Sequence, residues 1–119
     1  MYLIATRSFP PELGGMQSLM WGLAKELSKN FMIKVFADYH KDHKEFDQAV
    51  NFSIERVGGI KFLRKIRKAQ LVNEFLKENK VQGIIADHWK SLELIKTEKK
   101  KYCLVPVSYT HLRAHETSL

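Results

Sequence analysis

Cysteine is almost absent from this chain of 119 residues: Cys103 stands alone, so no disulfide can form within the chain. No segment approaches the roughly 18 consecutive apolar residues of a transmembrane helix. The amino terminus also lacks the basic segment and following apolar segment of a secretory signal. We therefore expect a cytoplasmic protein in which Cys103 packs in a buried strand and is not a nucleophile.

Apolar residues are abundant enough for one core. They make up 45% of the chain, and the length suits a single domain. The net charge of +7 is unevenly distributed. Residues 1–59 hold seven basic and seven acidic groups, whereas residues 60–106 hold twelve and five. The excess of positive charge therefore belongs to the second half of the chain.

Short apolar runs alternate with helical periodicity along the chain. Residues 1–5 form a continuous apolar run that is typical of a buried parallel strand. Further strands are predicted at 33–37, 52–57, 83–89 and 102–105. The first helix has its apolar positions at i, i+3, i+4, i+7, i+8 and i+11: Met16, Leu19, Met20, Leu23, Ala24 and Leu27. A helix at 61–79 turns Phe62, Ile66, Ala69, Val72, Phe75 and Leu76 inward, and a shorter one is predicted at 91–98. This order predicts an α/β fold, a partial Rossmann-like parallel sheet with flanking helices.

Two connecting segments are predicted to be plain loops. Residues 38–50 are polar and show little periodicity. They contain Asp38, His40, Asp42 and His43, but His-x-x-His without a second ligand pair is a weak metal signal, and we assign no metal. The pair Gly58-Gly59 ends the third strand and is interpreted as a connector.

The segment of residues 8–17, which joins the first strand to the first helix, is the strongest candidate site. Gly14 and Gly15 let the backbone approach a ligand closely, while the first N–H groups of the helix and its positive dipole end point outward. Such an end binds anions. The alternative is that Pro-Pro and Gly-Gly are ordinary loop residues here, since the fuller G-x-G-x-x-G fingerprint is absent.

The run Phe9-Pro10-Pro11, the pair Gly14-Gly15, a helix ending at residues 27–30 and a second strand at 33–37 resemble the amino terminus of GT-B glycosyltransferases, specifically the large retaining family 4. The similarity covers roughly residues 1–105. It implies a truncated amino-terminal domain at 1–106, the N-terminal half-domain of a GT-B fold. It also implies that Gly14, Gly15 and Met16 lie near the donor phosphates, in a cleft between two Rossmann-like domains.

The same resemblance implies an activity. The full-length protein would transfer a sugar from a nucleotide-sugar donor to a polysaccharide, lipid or small-molecule acceptor. No resident cofactor is needed, because the nucleotide sugar is a co-substrate. The family's Glu-rich motif and nucleotide pocket lie in a second domain that nothing in this chain matches. We therefore expect the isolated chain to be inactive.

A second candidate site follows the strand at 83–89. Ligands of open α/β sheets gather at the carboxyl ends of the strands, where Asp87 and His88 fall. The family resemblance implies that His88 contacts donor or acceptor as the catalytic candidate, with Asp87 as its substrate-binding neighbour. The alternative is structural: Asp87 begins a capping turn and His88 satisfies a local hydrogen bond.

The helix at 61–79 carries a predicted basic patch of Arg64, Lys65, Arg67 and Lys68. The patch is either a solvated helix face or a peripheral contact with anionic lipid on the inner membrane face. Nucleic acid is the least favoured partner, since no groove-reading motif accompanies the charge. The patch supports an alternative function, a non-enzymatic basic α/β module that binds anionic lipid or nucleic acid.

Residues 107–119 show no apolar period that continues the fold. They resemble a translated adapter or vector sequence, and we expect them to be non-native. A metal pair of His111 and His115 is not favoured, because further ligands are missing.

Overall fold

The computed structural model describes residues 1–95 and 103–106. Strands and helices alternate along this part of the chain. They are β1 (Tyr2–Ala5), α1 (Gly15–Ser28), β2 (Ile33–Asp38), α2 (His43–Ala49), β3 (Ser53–Val57), α3 (Lys61–Glu78), β4 (Gly83–Ala86), a 3₁₀ turn (Trp89–Leu92) and β5 (Cys103–Pro106).

The strands form one parallel sheet in the order β3-β2-β1-β4-β5. From β1 the chain moves outward through β2 to β3, and it then crosses back to place β4 on the other side of β1. The prediction of a partial Rossmann-like α/β sheet is confirmed. The switch in direction lies between β1 and β4, where open sheets of this kind have a crevice at the carboxyl ends of the strands.

Alternate residues of the strands build a core on each face of the sheet. Leu3 of β1 joins the core beneath α3, while its neighbour Ile4 joins the core beneath α1. The α3-side core includes Phe36, Val72, Leu76 and Ile84. The α1-side core includes Phe9, Met20, Ala24 and Val35. The sheet is therefore covered on both faces, which fits its nearly continuous apolar strands.

The prediction that residues 38–50 form a plain loop is wrong, because α2 occupies His43–Ala49. This helix has seven residues and rests on a single aromatic anchor, Phe46, whose ring packs against Phe9 and Trp21. One apolar contact in two turns leaves no periodicity in the sequence. Tertiary packing therefore stabilises this helix.

Other expectations change at the ends of elements. Phe62 was predicted to face the core, but it lies in the first turn of α3 with 70% of its surface exposed. Leu19 on α1 is also exposed. The helix predicted at 91–98 begins instead as the 3₁₀ turn, and its residues 96–98, like the predicted non-native tail at 107–119, lie outside the described residues. None of the helices within residues 1–95 is long and apolar enough to cross a membrane.

Candidate functional site at the carboxyl edge of the sheet

The loop between β1 and α1, residues 6–14, meets the end of β4 at the switch point. The backbone N–H of Arg7 donates to Asp87 Oδ2 at 3.1 Å. Asp87 is buried, and its other oxygen accepts from Ser91 Oγ at 2.7 Å. The Asp87 carboxylate therefore ties the first loop to the 3₁₀ turn, across the crevice that the topology creates.

Arg56 of β3 holds the same loop from the opposite side. Its guanidinium donates to the carbonyl oxygen of Pro10 at 2.6 Å and to the carbonyl oxygen of Asp38 at 3.2 Å. Two further bonds reach the Asp47 carboxylate of α2, at 2.8 and 3.1 Å. The Arg56 side chain is only 4% exposed and lies near the Phe9 ring. One buried arginine therefore joins the first loop, β2 and α2.

The Gly14-Gly15 pair lies at the start of α1 and is exposed. No side chain caps this helix, and the Gly14 carbonyl accepts the bond from Ser18 N. A Cβ on Gly14 would lie 2.2 Å from Gln17 Oε1, whereas a Cβ on Gly15 would meet nothing within 4 Å. A lack of room for a side chain therefore does not explain the glycine at position 15.

Met16 and His88 have contacts of their own. Met16, predicted beside the donor phosphates, packs its side chain against the α1-side core. His88 caps the 3₁₀ turn, and its Nδ1 accepts from the Lys90 N–H at 3.1 Å. This is the local hydrogen bond of the structural alternative. It leaves the catalytic role of His88 a prediction.

The basic patch on α3 is not the exposed surface that the sequence predicted, because Lys68 is buried. Its ammonium contacts one oxygen of Asp38 and donates to the Thr6 carbonyl at 3.1 Å. Arg64 Nε contacts the other Asp38 oxygen at 3.1 Å. Burial lowers the pKa of Lys68, and the adjacent Asp38 opposes that shift. Asp38 therefore pairs with two of the four predicted patch cations, and the three groups together keep a net charge of +1.

The other two patch residues differ from each other. Lys65 contacts Glu93 beside the 3₁₀ turn, and its ammonium lowers the pKa of Glu93. Arg67 is exposed. Arg67 is the one of the four cations that matches the expected solvated face. Among residues 1–95 and 103–106 it has no carboxylate partner, whereas the other three do.

A cavity of about 350 Å³ opens at this edge, between α3 and the 3₁₀ turn. Its walls include Arg64, Lys65 and Lys68 of the predicted patch, together with the ends of β1 and β2. Gly14, Gly15 and Arg67 do not line it. The predicted residues thus fall into separate places: Gly14 and Gly15 at the start of α1, Asp87 and His88 after β4, and three of the four patch cations at the cavity.

Lys68 makes stability depend on pH in the alkaline range. Between its lowered pKa in the folded chain and the ordinary value of 10.5, Lys68 holds fewer protons in the folded state than in the unfolded state. The free energy of unfolding therefore rises with pH across that window. The difference in free energy of unfolding, wild type minus Lys68→Met, should therefore increase as the pH approaches 10.5. Urea unfolding measures this difference. A difference that falls with pH would contradict this result.

Sequence reasoning missed Arg56 and Asp47, and it considered Asp38 only as a metal ligand. Within the described ranges, 1–95 and 103–106, no group of three or more His, Cys, Asp or Glu side chains could hold a metal ion. Asp38 instead serves as the counterion of Lys68 and Arg64. The signal for this role was its place at the carboxyl end of a buried strand.

These features define a doubly wound α/β sheet with its candidate site at the carboxyl edge. No protein-family model, no curated protein and no solved structure matches the chain.

Proposed function

We propose that this chain is the amino-terminal part of a nucleotide-sugar-dependent glycosyltransferase of the GT-B type. The observation that carries the proposal is the junction of the Gly14-Gly15 loop and the β4 end at the switch point, through Arg7 N–H and Asp87. Ligands of doubly wound sheets bind at such a junction. The sequence resemblance to retaining family 4 supplies the reaction class.

In the proposed site, the uncapped start of α1 contributes backbone N–H groups and the positive end of the helix dipole. Sugar transfer develops negative charge on the departing nucleoside diphosphate, and fixed N–H donors stabilise that charge. Asp87 positions the loop by holding Arg7 N–H. His88, at the next position, is the candidate for contact with donor or acceptor.

The alternative function, a basic module for anionic lipid or nucleic acid, loses much of its support. It relied on four exposed cations, but Lys68 is buried and Arg64 and Lys65 contact carboxylates. Ion pairing of this kind reduces the net positive charge with which the protein surface would attract an anionic membrane or nucleic acid. We therefore retain the glycosyltransferase as the proposed function.

The proposal is tested by replacing Gly15 in the full-length enzyme. Because a Cβ at this position has open space, Gly15→Val should change the free energy of unfolding by under about 1 kcal/mol. A side chain between the helix start and the phosphates should nevertheless reduce turnover by about a hundredfold. Release of nucleoside diphosphate from a panel of nucleotide sugars measures turnover, and urea unfolding measures stability.

Gly22→Val is the matched control, because Gly22 lies in the same helix and a Cβ there also meets nothing within 4 Å. We expect it to leave turnover unchanged. If no nucleotide sugar is consumed by the full-length wild type, or if the two variants lose turnover equally, the proposed donor site is wrong.

A further inference from the structure

The cavity beside α3 exposes large apolar side chains on its wall. Phe62 is 70% exposed and Leu94 is 45% exposed, and both line the cavity. The inner wall is apolar too, since the core residues Ala5 and Val72 reach it. Apolar surface gathered in a concave site is the usual lining of a small-molecule pocket, and about 350 Å³ falls in the usual range of pocket volumes.

Cations from three different elements line the same cavity. Arg7 belongs to the β1–α1 loop, Lys61 begins α3, and Lys90 lies in the 3₁₀ turn. Among residues 1–95 and 103–106, none of these three side chains makes an ion pair or a side-chain hydrogen bond. The cavity is therefore lined from several directions by cations that form no ion pair, and of these Lys90 adds to the lowering of the Glu93 pKa by Lys65.

Other charged groups in the wall do not cancel this excess. Arg64 and Lys68 share Asp38, while Lys65 contacts Glu93. Six cationic side chains thus face two carboxylates around the cavity. Surplus cations beside a low-dielectric apolar wall favour a ligand with concentrated negative charge.

We propose that this cavity binds a phosphate monoester that carries an aliphatic or aromatic group. The phosphate dianion matches the cations Arg7, Lys61 and Lys90 in the cavity wall, and the apolar group covers Phe62 and Leu94. A phosphate alone would contact only the cations, and an apolar group alone would contact only Phe62 and Leu94. The assignment rests on the cavity itself and does not depend on glycosyl transfer.

A long polyanion fits these observations less well. Arg67, an exposed cation of α3, does not line the cavity, and a phosphate backbone has no apolar group for Phe62. The unpaired cations instead surround a concave site. A compact amphiphilic anion is the ligand that uses charge and apolar wall together.

The probes are hexyl phosphate, inorganic phosphate and the neutral hexyl glucoside, titrated into the full chain by calorimetry at fixed ionic strength. Hexyl phosphate should bind about tenfold or more tightly than either other probe, since it alone joins both contacts. Binding of inorganic phosphate with equal affinity would show that an adventitious anion suffices, and would overturn the proposal. No binding of hexyl phosphate at millimolar concentration would also overturn it.

Two pairs of variants locate the binding. Lys61→Glu should weaken hexyl phosphate about tenfold, while Arg67→Glu, with the same change of charge on the same helix, should stay within about twofold. Phe62→Ser should likewise weaken binding, and Leu63→Ser, which removes an exposed apolar side chain outside the cavity, should not. All four side chains are exposed, and we therefore expect each variant to fold. Equal losses within each pair would contradict the site.

Discussion

Asp38→Ala should destabilise the fold by about 3–5 kcal/mol, because it leaves the buried Lys68 ammonium without its counterion. The Thr6 carbonyl would remain as its acceptor, but a carbonyl dipole does not replace a carboxylate. Arg64 would also lose its partner, although that side chain is partly exposed and contributes less. Urea unfolding of the full chain measures the loss.

Two comparisons separate this effect from a general loss of charge. Asp42→Ala removes an exposed carboxylate that makes no side-chain cap for α2, and it should change stability by under about 0.5 kcal/mol. The double variant Asp38→Ala with Lys68→Met removes the stranded charge, and it should recover most of the loss. If Asp38→Ala proves as mild as Asp42→Ala, Lys68 does not depend on Asp38.

Arg56→Ala should destabilise the fold by about 3 kcal/mol, because it strips a buried partner from Asp47 and from two carbonyl oxygens. The loss of the Pro10 bond should also release the β1–α1 loop from the sheet. Hydrogen exchange should therefore accelerate at backbone amides of residues 8–17 more than in the middle of α3. Urea unfolding and exchange followed by NMR measure the two effects.

Arg56→Lys and Arg67→Ala serve as controls. Lysine keeps the positive charge but loses the planar fork, so it cannot reach Asp47, Pro10 and Asp38 at once, and an intermediate loss is expected. Arg67 is exposed, and its removal should change little. Unchanged exchange in residues 8–17 of Arg56→Ala would show that the loop is held without Arg56.

The elements with strong periodicity could be predicted from sequence. β1, α1, β2, α3 and β4 all fall where apolar runs or helical spacing indicated them. The parallel sheet followed from their alternation, and so did the gathering of loops at its carboxyl edge. The Arg7–Asp87 bond joins residues 80 positions apart, and no local pattern encodes such a contact.

The burial of Lys68 and Arg56 was harder to predict, although the spacing of each residue in the sequence indicated it. Lys68 precedes the buried Val72 and Leu76 by four and eight residues, which places it on the apolar stripe of α3. Arg56 lies two residues after Ile54, on the face of β3 that meets the α1-side core. At Lys68 the charge favoured an exposed position, whereas the spacing indicated burial.

The cavity could not be predicted, because its lining comes from several separate elements. Its unpaired cations lie in the β1–α1 loop, at the start of α3 and in the 3₁₀ turn. The sequence located positive charge in the second half of the chain. It did not show that Arg7 from the first half lines the same cavity.

Long-read sequencing of the source locus across the codons for residues 101–119 tests the proposed function most directly. The glycosyltransferase account predicts that the native reading frame departs from the sequence at 107–119. It should continue into further strands and a second Rossmann-like domain with paired glutamates. A genuine stop codon after Leu119 would contradict the account, since it would leave the donor site without the domain that must complete it.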